Sequence, residues 1–443
     1  MDEIYKAIEK NRKIIFDAEK FVWEHPETGY KEYKTTEYLA HAFEKLGYQI
    51  TYPTGITGFY TIADTGRPGP QILVLGEADS VICTSHPSAN QNTGAVHACG
   101  HHIQVATLLG MAAALKEKEV IASLCGKIML CVVPAEELLE LDYRADLTKQ
   151  NKIKYMNGKT EFLHRGYFDN VDIAFMVHAS TQFCVDDGTV GSITKKVIYK
   201  GRSSHAGGAP WDGKNSLYAA TCGLNAVNAI RETFKDTDQV RVHPIITACG
   251  DTANTIPETT VLDSYVRGKS FEAITTANKK VNQALIGAAL SLDCNVEIID
   301  TPGYSPLNND KNLKQIFIEA YEQISPPMPL YIRNEKSSGS TDMGDLSCIM
   351  PTMHAYAGGA CGETHGSDYR IIDKESACIK NAEWQLLVLW LLLKDNAKRA
   401  NKIINDFVPQ FSSKAEYLTF IDSLNNSGTR INYKNSLAEI NLQ

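Results

Sequence analysis

The sequence HACGHH at residues 97–102 places three histidines and one cysteine within six positions. The apolar residues from Ile103 to Leu115 recur at helical spacing, so the pattern predicts a buried helix directly after this cluster. Cys99 and His101 are separated by one glycine, and side chains two residues apart in an extended segment point the same way. A thiolate and an imidazole held together in this way could bind one metal ion or a pair of ions.

Each residue of this cluster also has an ordinary explanation, because a single cysteine is often simply buried and a single histidine is usually a satisfied polar residue. The combination of Cys99 with His101, after a loop and before a core helix, favours a metal or catalytic site. The sequence contains no Cys-x-x-Cys spacing, which argues against a closed structural zinc site. The remaining ligands would therefore come from distant parts of the chain.

Length and composition indicate a globular chain of 443 residues with a formal net charge of −8. At about 150 residues per domain, two or three domains are expected. The absence of a long basic run argues against nucleic acid as the main partner. The N-terminus lacks the apolar core of a signal peptide, and the most apolar run, residues 384–393, is too short to span a bilayer. The 11 cysteines lack the spacing of a disulfide framework, so we expect a cytoplasmic protein with reduced thiols and no membrane partner.

Three apolar runs, at residues 71–76, 127–133 and 171–177, predict strands that are covered on both faces. Helical patterns lie between them, which favours an α/β domain with a mostly parallel sheet. Polar side chains that can bind a metal follow the three strands: Asp79, Glu136 with Glu137, and His178. Because ligands of such sheets bind outside the carboxyl ends of the strands, we expect these side chains to meet at one edge.

The pattern changes near residue 190, where strands with half-exposed faces replace the buried strands. We interpret residues 191–304 as a smaller α+β domain inserted into a catalytic domain that consists of residues 1–190 and 305–399. A long helix at residues 373–395 is expected to complete the catalytic domain. Residues 400–443 are polar and rich in asparagine, and we interpret them as a short helical appendage.

The adjacent carboxylates Glu136 and Glu137 can be part of a solvated loop, which is the more common situation for two charged residues at a strand end. Beside a metal ion, one carboxylate can act as a ligand and the other can take a proton from water, whose pKa a bound dication lowers. His178, at the end of an apolar strand, and His365, in a glycine-rich segment, are not persuasive alone.

Other polar positions are informative only in combination. The loop from Gly339 to Gly344 could offer backbone N–H groups and hydroxyls to a carboxylate or an oxyanion, but it could equally be any turn. Arg267, at a strand end, could bind a carboxylate through its guanidinium fork. By composition alone, His205, Asn254 and Arg267 are more simply explained as surface residues. The sequence contains no P-loop, no Gly-x-Gly-x-x-Gly after a strand, no His-Glu-x-x-His and no Gly-x-Ser-x-Gly.

In their joint order these motifs resemble those of the dinuclear-metal amidohydrolase and carboxypeptidase family. The family includes aminoacylases, hippurate hydrolases, auxin-conjugate hydrolases and aminobenzoyl-glutamate hydrolases, and its cysteine-containing subgroup matches best. The resemblance runs from about residue 5 to residue 395. It rests on residues 97–101, 134–137, His178, 204–206, 254–257, Arg267, 339–342 and His365.

The resemblance implies a catalytic domain with an inserted lid domain, through which many members form homodimers. It also implies two divalent metal ions, with manganese or zinc favoured and cobalt or nickel open. The implied metal ligands are Cys99, which would bridge the ions, His101, Glu137, His178 and His365.

The resemblance further implies roles in catalysis and substrate binding. Glu136 would be the general base and acid, and His205, commonly supplied by the partner subunit, would stabilise the oxyanion. Asn254 and Arg267 would hold the substrate's carboxylate. The residues implied to line the pocket are Gly339, Ser340 and Thr341.

Two positions depart from the family pattern. The family usually has Asp or Asn directly after Cys-Gly-His, where this chain has His102, which could alter the metal preference or compete as a ligand. After the strand at 71–76 the subgroup often has Asp-Ala-Leu-Pro, whereas here Asp79 is followed by a long loop of different sequence. Asp79 itself is retained, but the wall of the pocket would differ.

We therefore expect a metal-dependent hydrolase that cleaves the amide bond of an N-acyl or N-aroyl amino acid. One alternative is a dipeptidase or aminopeptidase of the same chemistry, which an acidic pocket group facing the substrate's amine would favour. A second alternative is a non-catalytic binding protein with this fold, which a failure to bind metal tightly would favour.

Overall fold

The computed structural model describes residues 1–324, 329–434 and 437–442, and the chain forms two compact units. The first unit consists of Met1–Gly188, Leu307–Ser337 and Thr341–Lys414. The second consists of Thr189–Pro306, Ser338–Ser340 and Ala415–Gln443. The second unit is therefore formed largely by a segment inserted into the chain of the first.

The secondary structure follows in chain order. The helices are α1 (Asp2–Lys10), α2 (Arg12–Glu24), α3 (Tyr33–Lys45), α4 (His101–Ala114), α5 (Lys118–Ile121), α6 (Leu141–Lys149), α7 (Gly158–His164), α8 (Ser216–Ile230), α9 (Phe271–Ser291), α10 (Lys311–Tyr321), α11 (Met343–Ser347), α12 (Asn381–Asp406) and α13 (Lys414–Ser423). The strands are β1 (Phe59–Asp64), β2 (Gln71–Glu77), β3 (Val81–Ile82), β4 (Ala95–Val96), β5 (Lys127–Val133), β6 (Ile173–Ala179), β7 (Cys184–Val185), β8 (Gly191–Lys200), β9 (Arg241–Val242), β10 (Ile245–Cys249), β11 (Thr259–Gly268), β12 (Asn295–Pro302), β13 (Tyr331–Ile332), β14 (Thr352–Ala357), β15 (Ala360–Cys361), β16 (Arg370–Ile371), β17 (Asn426–Lys434) and β18 (Leu437–Ile440).

The first unit is built on a sheet with the strand order β1-β5-β2-β6-β14-β7-β13. The central strands β5, β2, β6 and β14 are parallel to one another, while β1 pairs antiparallel with β5 and β7 pairs antiparallel with β14. Nearly all residues of β2, β5 and β6 are buried, as expected for strands covered on both faces. The predicted α/β fold with a mostly parallel sheet is confirmed.

Helix α4 lies in the core of the first unit, and all 14 of its residues are buried. It packs against α2 and β2, and its apolar side chains share one hydrophobic core with β2, β5 and β6. The predicted helix at residues 373–395 begins as a π-helical turn at Glu375–Lys380 and continues as α12 to Asp406, with a kink at residues 394–397.

The second unit has a sheet with the strand order β10-β11-β8-β12-β17-β18, and β9 also pairs with β11. These neighbours pair antiparallel. Helices α8 and α9 pack against each other and against this sheet, around a core that includes Val197, Leu262 and Leu285. The inserted segment thus has the α+β character that its alternating strands predict.

Two predictions, that no segment spans a membrane and that the cysteines are reduced, concern both units. Among residues 1–324, 329–434 and 437–442, no helix has both the length and the apolar character that a membrane crossing requires. All 11 cysteines are free thiols in the structure.

The C-terminal residues differ from the helical appendage that we predicted. Helix α13 is followed by β17 and β18, and this hairpin extends the sheet of the second unit beyond β12. Ile431 of β17 is buried in the core of that unit. The strand that pairs with β17 is far away in sequence, so the local pattern gave no sign of it. The predicted boundaries at residues 190, 304 and 399 stay a prediction.

Two isoleucines that face each other across this hairpin test its contribution to stability. Ile431 is fully buried, whereas its cross-strand partner Ile440 is 47% exposed. We expect Ile431→Ala to lower the free energy of unfolding by about 2–5 kcal/mol, because it leaves a cavity in the core. Ile440→Ala should change it by no more than about 0.5 kcal/mol. Urea denaturation of both variants measures this, and equal effects would contradict the placement of the hairpin.

Candidate metal centre

Several elements of the first unit bring donor side chains to the carboxyl edge of its sheet. The donors are Cys99 directly before α4, His101 at the start of α4, Glu136 and Glu137 after β5, His178 near the end of β6, and His365 between β15 and β16. The backbone N–H of His365 donates to the carbonyl oxygen of Ala98 at 2.9 Å, which ties its loop to the segment that carries Cys99.

The predicted ligands form two groups of three, and Cys99 belongs to both. One group contains Cys99, His101 and His178, and the other contains Cys99, Glu137 and His365. The ligand atoms of each group lie within 4.8 Å of one another. The structure therefore brings all five sequence-predicted ligands together, with the thiol positioned to be shared.

The ligand atoms of these side chains are suited to bind metal ions. Cys99 Sγ lies 3.4 Å from His178 Nε2, and His365 Nε2 lies 2.8 Å from Glu137 Oε1. His101 Nε2 is buried and has no hydrogen-bond partner among the described residues. One sulfur, three imidazole nitrogens and a carboxylate are a donor set that suits transition-metal dications. A pair of divalent cations held by these residues is thus consistent with the chemistry of the site.

Asp79 supports both ligand groups, as its position after β2 predicts. Its backbone oxygen lies 2.9 Å from His101 Nδ1, so Nδ1 donates to this oxygen and Nε2 is the nitrogen that can bind a metal ion once it has lost its proton. Its Oδ2 accepts a hydrogen bond of 2.9 Å from the backbone N–H of Glu137. His178 is oriented similarly, because its Nδ1 lies 2.7 Å from the backbone oxygen of Ala179.

The glycine between Cys99 and His101 is required by the local geometry. Gly100 has a φ of 89°, a backbone conformation that residues other than glycine rarely adopt. A Cβ atom at this position would lie 2.4 Å from the hydroxyl oxygen of Tyr369 and 2.7 Å from Cβ of Ala179. The sharp turn at Gly100 lets the thiol and the imidazole face the same space.

The segment with the two carboxylates is fixed from both sides. Ala135 has a φ of 55°, and its N–H donates to Glu32 Oε1 at 2.8 Å. Arg144 is almost fully buried, and its guanidinium donates to the backbone oxygens of Glu137 and Met156. Glu32 and Arg144 therefore hold the backbone that presents Glu136 and Glu137, a supporting role that the sequence did not indicate.

The two neighbouring carboxylates have opposite electrostatic environments. Burial raises the pKa of Glu136 well above its usual value, and the nearby charges of Glu77 and Glu137 raise it further. Burial acts in the same direction on Glu137, but the hydrogen bond and the charge of His365 outweigh it and lower the pKa to about 2. Glu137 is thus an anionic ligand, and Glu136 is suited to carry a proton.

His102 lies outside both ligand groups. It is fully buried, its ring centroid is 4.9 Å from that of Trp23, and its Nε2 is 3.8 Å from Glu19 Oε1. Burial lowers the pKa of His102 well below its usual value, so the imidazole is neutral. The structure gives no support to the prediction that His102 competes as a ligand.

The other predicted residues belong to the second unit, except Thr341, and their roles stay predictions. His205 Nδ1 accepts hydrogen bonds from the N–H groups of Gly207 and Gly208, and the N–H of Ala206 donates to Asn254 O at 2.9 Å. The loops of His205 and Asn254 are therefore adjacent.

Arg267 and the loop at residues 338–340 also lie together in the second unit. Arg267 Nη1 donates to Ser338 O at 3.3 Å, whereas its buried Nε has no partner among the described residues. Gly339 O accepts a hydrogen bond from Val190 N, and Ser340 Oγ donates to Val190 O. In the first unit, Thr341 is buried at the start of the segment that leads into α11.

Two charged residues near the centre, Glu77 and Lys159, were not singled out from the sequence. Glu77 ends the apolar strand β2, and the Lys159 ammonium lies between the carboxylates of Glu77 and Asp342. All three side chains are almost fully buried. A glutamate that ends an otherwise apolar strand was the signal for Glu77, but nothing marked Lys159 as its partner.

The first unit has a mostly parallel sheet, the inserted second unit has an antiparallel sheet, and two donor groups share Cys99. This combination defines the class of dinuclear metallohydrolases. The comparison with known proteins agrees with this class. The sequence profile of Peptidase family M20/M25/M40 matches residues 73–385, and the chain belongs to this family. The resemblance stated from the sequence is thereby confirmed, and with it the assignment as a metal-dependent hydrolase.

Curated relatives are similar along most of their length. The Xaa-Arg dipeptidase of Homo sapiens is 28% identical over 377 residues, which cover 79% of this chain and 78% of the relative. The N-acetyl-L-cysteine deacetylase of Bacillus subtilis (strain 168) is 28% identical over 344 residues, which cover 72% of this chain and 75% of the relative.

Solved structures show the same fold at lower sequence identity. A dinuclear metal-binding peptidase of the M20 family from Bacillus subtilis has a TM-score of 0.65 at 19% identity, covering 88% of this chain and 99% of its own. An aminobenzoyl-glutamate utilization protein from Klebsiella pneumoniae also has a TM-score of 0.65 at 19% identity, covering 87% of this chain and 98% of its own.

The protonation of the ligands predicts how metal uptake depends on pH. Burial raises the pKa of the Cys99 thiol, and the charges of Cys99 and Glu77 outweigh burial to hold the pKa of His101 well above its usual value. Metal binding must displace both protons, so the apparent affinity for Zn²⁺ should rise from about pH 6 to about pH 8 and uptake should release about two protons.

Calorimetry of the metal-free protein in buffers of different ionisation enthalpy measures this release. Cys99→Ser should lower the release by about one proton. Cys222→Ser, at an exposed cysteine of the second unit, is the matched control and should leave it unchanged. Zinc affinity that does not vary with pH would contradict the assignment of Cys99 and His101.

Proposed function

We propose that this protein hydrolyses the amide bond of an N-acyl or N-aroyl amino acid at a centre of two divalent cations. One cation is assigned to Cys99, His101 and His178, and the other to Cys99, Glu137 and His365. The observation that carries the proposal is the pair of donor groups that share Cys99, with a carboxylate oxygen of Glu136 in reach of His101.

Glu136 is assigned as the general base and acid. When bound, the two cations would polarise the substrate's carbonyl group and lower the pKa of water. Glu136 accepts a proton from the attacking water as the new C–O bond forms at the carbonyl carbon. It then delivers this proton to the nitrogen of the leaving amine as the C–N bond breaks. The raised pKa of Glu136 supports a role in which the carboxyl group holds a proton during the reaction.

Residues of the second unit are assigned to the substrate. His205 would stabilise the oxyanion and Asn254 and Arg267 would hold the free carboxylate of the amino acid, with Gly339 and Ser340 lining the pocket together with Thr341. The unpaired Nε of Arg267, which has no partner among the described residues, supports this assignment, since a guanidinium recognises a carboxylate best with two N–H groups in parallel. We include in the proposal a homodimer formed through the inserted domain, with His205 supplied by the partner subunit.

The names of the relatives support an amino acid as one product. They include p-aminobenzoyl-glutamate hydrolase, N-acetyl-L-cysteine deacetylase and indole-3-acetyl-aspartic acid hydrolase. The Xaa-Arg dipeptidases favour a dipeptide substrate as the second candidate. Manganese or zinc is the proposed metal, with cobalt and nickel as alternatives, and the proposed location is the cytoplasm.

Removal of metal and substitution of Glu136 test the proposed chemistry together. We expect the metal-loaded protein to release amino acids from a panel of N-acyl amino acids and dipeptides, and the chelated protein to release none. Glu136→Gln should keep both metal ions and lower kcat by at least about 10²–10⁴-fold, because the proton carrier is lost.

Glu140→Gln is the matched control, since it is the same chemical change four residues further on, where Glu140 pairs with Lys31. It should retain nearly full turnover. Full activity of the chelated protein would contradict metal-dependent hydrolysis, and near-normal turnover of Glu136→Gln would remove Glu136 from its assigned role. Release from dipeptides but not from acylated amino acids would favour the second candidate.

Carboxylate recognition by Arg267 has its own test. Arg267→Ala should raise KM for a substrate with a free carboxylate by at least about tenfold, since a charged hydrogen-bonded contact contributes about 1.5–3 kcal/mol. Arg241 pairs with Arg267 across strands β9 and β11 and is exposed, so Arg241→Ala controls for the loss of one positive charge. Steady-state kinetics that show equal KM values for both variants would contradict the assignment.

A further inference from the structure

Glu32 is a buried carboxylate that accepts hydrogen bonds from two donors. It is fully buried, its Oε1 accepts a hydrogen bond of 2.8 Å from the N–H of Ala135, and its Oε2 accepts one from the hydroxyl of Thr57. In the part of the chain that the structure describes, Glu32 forms no ion pair with a lysine, an arginine or a histidine. A buried carboxylate without a cation as its partner costs stability, so stability alone does not explain why this residue is a glutamate.

The N–H that Glu32 holds belongs to a residue with an unusual backbone conformation. Ala135 has a φ of 55°, in the left-handed region where residues other than glycine are strained. Such a conformation persists only where the surrounding structure fixes it. The N–H of Gly158 donates to the backbone oxygen of Ala135 at 3.1 Å, and a Cβ atom at Gly29 would lie 2.9 Å from Cα of Ala135. The turn at Ala135 is therefore closely packed, and Glu32 supplies the acceptor for its N–H.

The two carboxylates after this turn have different supports. Glu137 is held on both sides of its own backbone, because Asp79 accepts a hydrogen bond from its N–H and Arg144 donates to its carbonyl oxygen. Glu136 directly follows Ala135 in the chain, so a change in the backbone of Ala135 displaces Glu136 first. The position of Glu136 should therefore depend on this turn more strongly than the position of Glu137.

We propose that Glu32 is a positioning residue of the hydrolysis reaction, which holds the turn at Ala135 and thereby places the carboxylate of Glu136 at the two-ion centre. This inference rests on the proposed function, in which Glu136 transfers the proton. Glu32 belongs to neither donor group and acts through the backbone. Its loss should therefore lower turnover while both metal ions stay bound.

Steady-state kinetics of two substitutions at Glu32 test the inference. Glu32→Met has a side chain of similar length without the carboxylate acceptor. It should lower kcat by about 10–100-fold and leave KM nearly unchanged, because a displacement of about 1 Å at a reacting group has effects of this size. Glu32→Gln keeps an oxygen that can accept from the N–H of Ala135 and an amide that can donate to Thr57, so it should restore most of the wild-type kcat.

Binding of Co²⁺ to the metal-free variants gives a readout that does not depend on turnover. Glu32→Met should bind two ions per chain with the visible absorption spectrum of the wild type, because the supports of Glu137 are unchanged. Glu383→Met is the matched control, since Glu383 is a buried glutamate of the same unit and pairs with Lys380 on the same helical segment. This control should keep the kcat of the wild type and bind both cobalt ions.

The outcomes separate this inference from the proposed function. A wild-type kcat in Glu32→Met, or a kcat of Glu32→Gln as low as that of Glu32→Met, would overturn the role of Glu32 and leave the proposed function standing. Loss of a cobalt ion in Glu32→Met would also overturn this role, because Glu32 would then support a metal ligand rather than Glu136. A wild-type protein that hydrolyses no member of the substrate panel would overturn both.

A shorter carboxylate provides the test if Glu32→Met does not fold. Glu32→Asp keeps the acidic group but withdraws it by one methylene from the N–H of Ala135. We expect a lower kcat in this variant as well, with two cobalt ions bound. A kcat equal to that of the wild type would overturn the inference.

Discussion

The burial of several acidic and basic side chains in one small space is the constraint on which this molecule depends. A thiolate, three imidazole nitrogens and several carboxylates meet at the carboxyl edge of one parallel sheet, and most of these side chains are buried. Burying even one unpaired anion costs several kcal/mol. Protons offset part of this cost, as the raised pKa values of Cys99 and Glu136 show. Dications at the proposed two-ion centre would offset it more completely.

The surrounding structure keeps the donors in place. Asp79 contacts both His101 and the backbone of Glu137, so one residue connects the two donor groups. Gly100 provides the turn that no larger residue fits. Glu32 accepts from the backbone of Ala135 and Arg144 donates to the backbone of Glu137, so both hold the segment of the two carboxylates. Because these supports come from different elements, the site forms only when the first unit has folded.

The parts of the site that could be predicted from sequence follow from local patterns. Apolar runs mark the buried strands, and a polar residue directly after such a run lies at the carboxyl edge, which is how Asp79, Glu137 and His178 could be found. Lys159 could not be found in this way, because its carboxylate partners lie in distant segments and its own helix gives no signal. For the same reason the sequence pattern did not reveal β17, whose partner β12 is remote in the chain.

Anomalous diffraction from crystals of the metal-loaded protein tests the central claim most directly. Data collected above and below the absorption edge of zinc or manganese locate each ion without assumptions about its ligands. The account predicts two peaks about 3.5–4 Å apart, with Cys99 Sγ within bonding distance of both. A single peak, or two peaks that do not share Cys99, would contradict the two-ion centre.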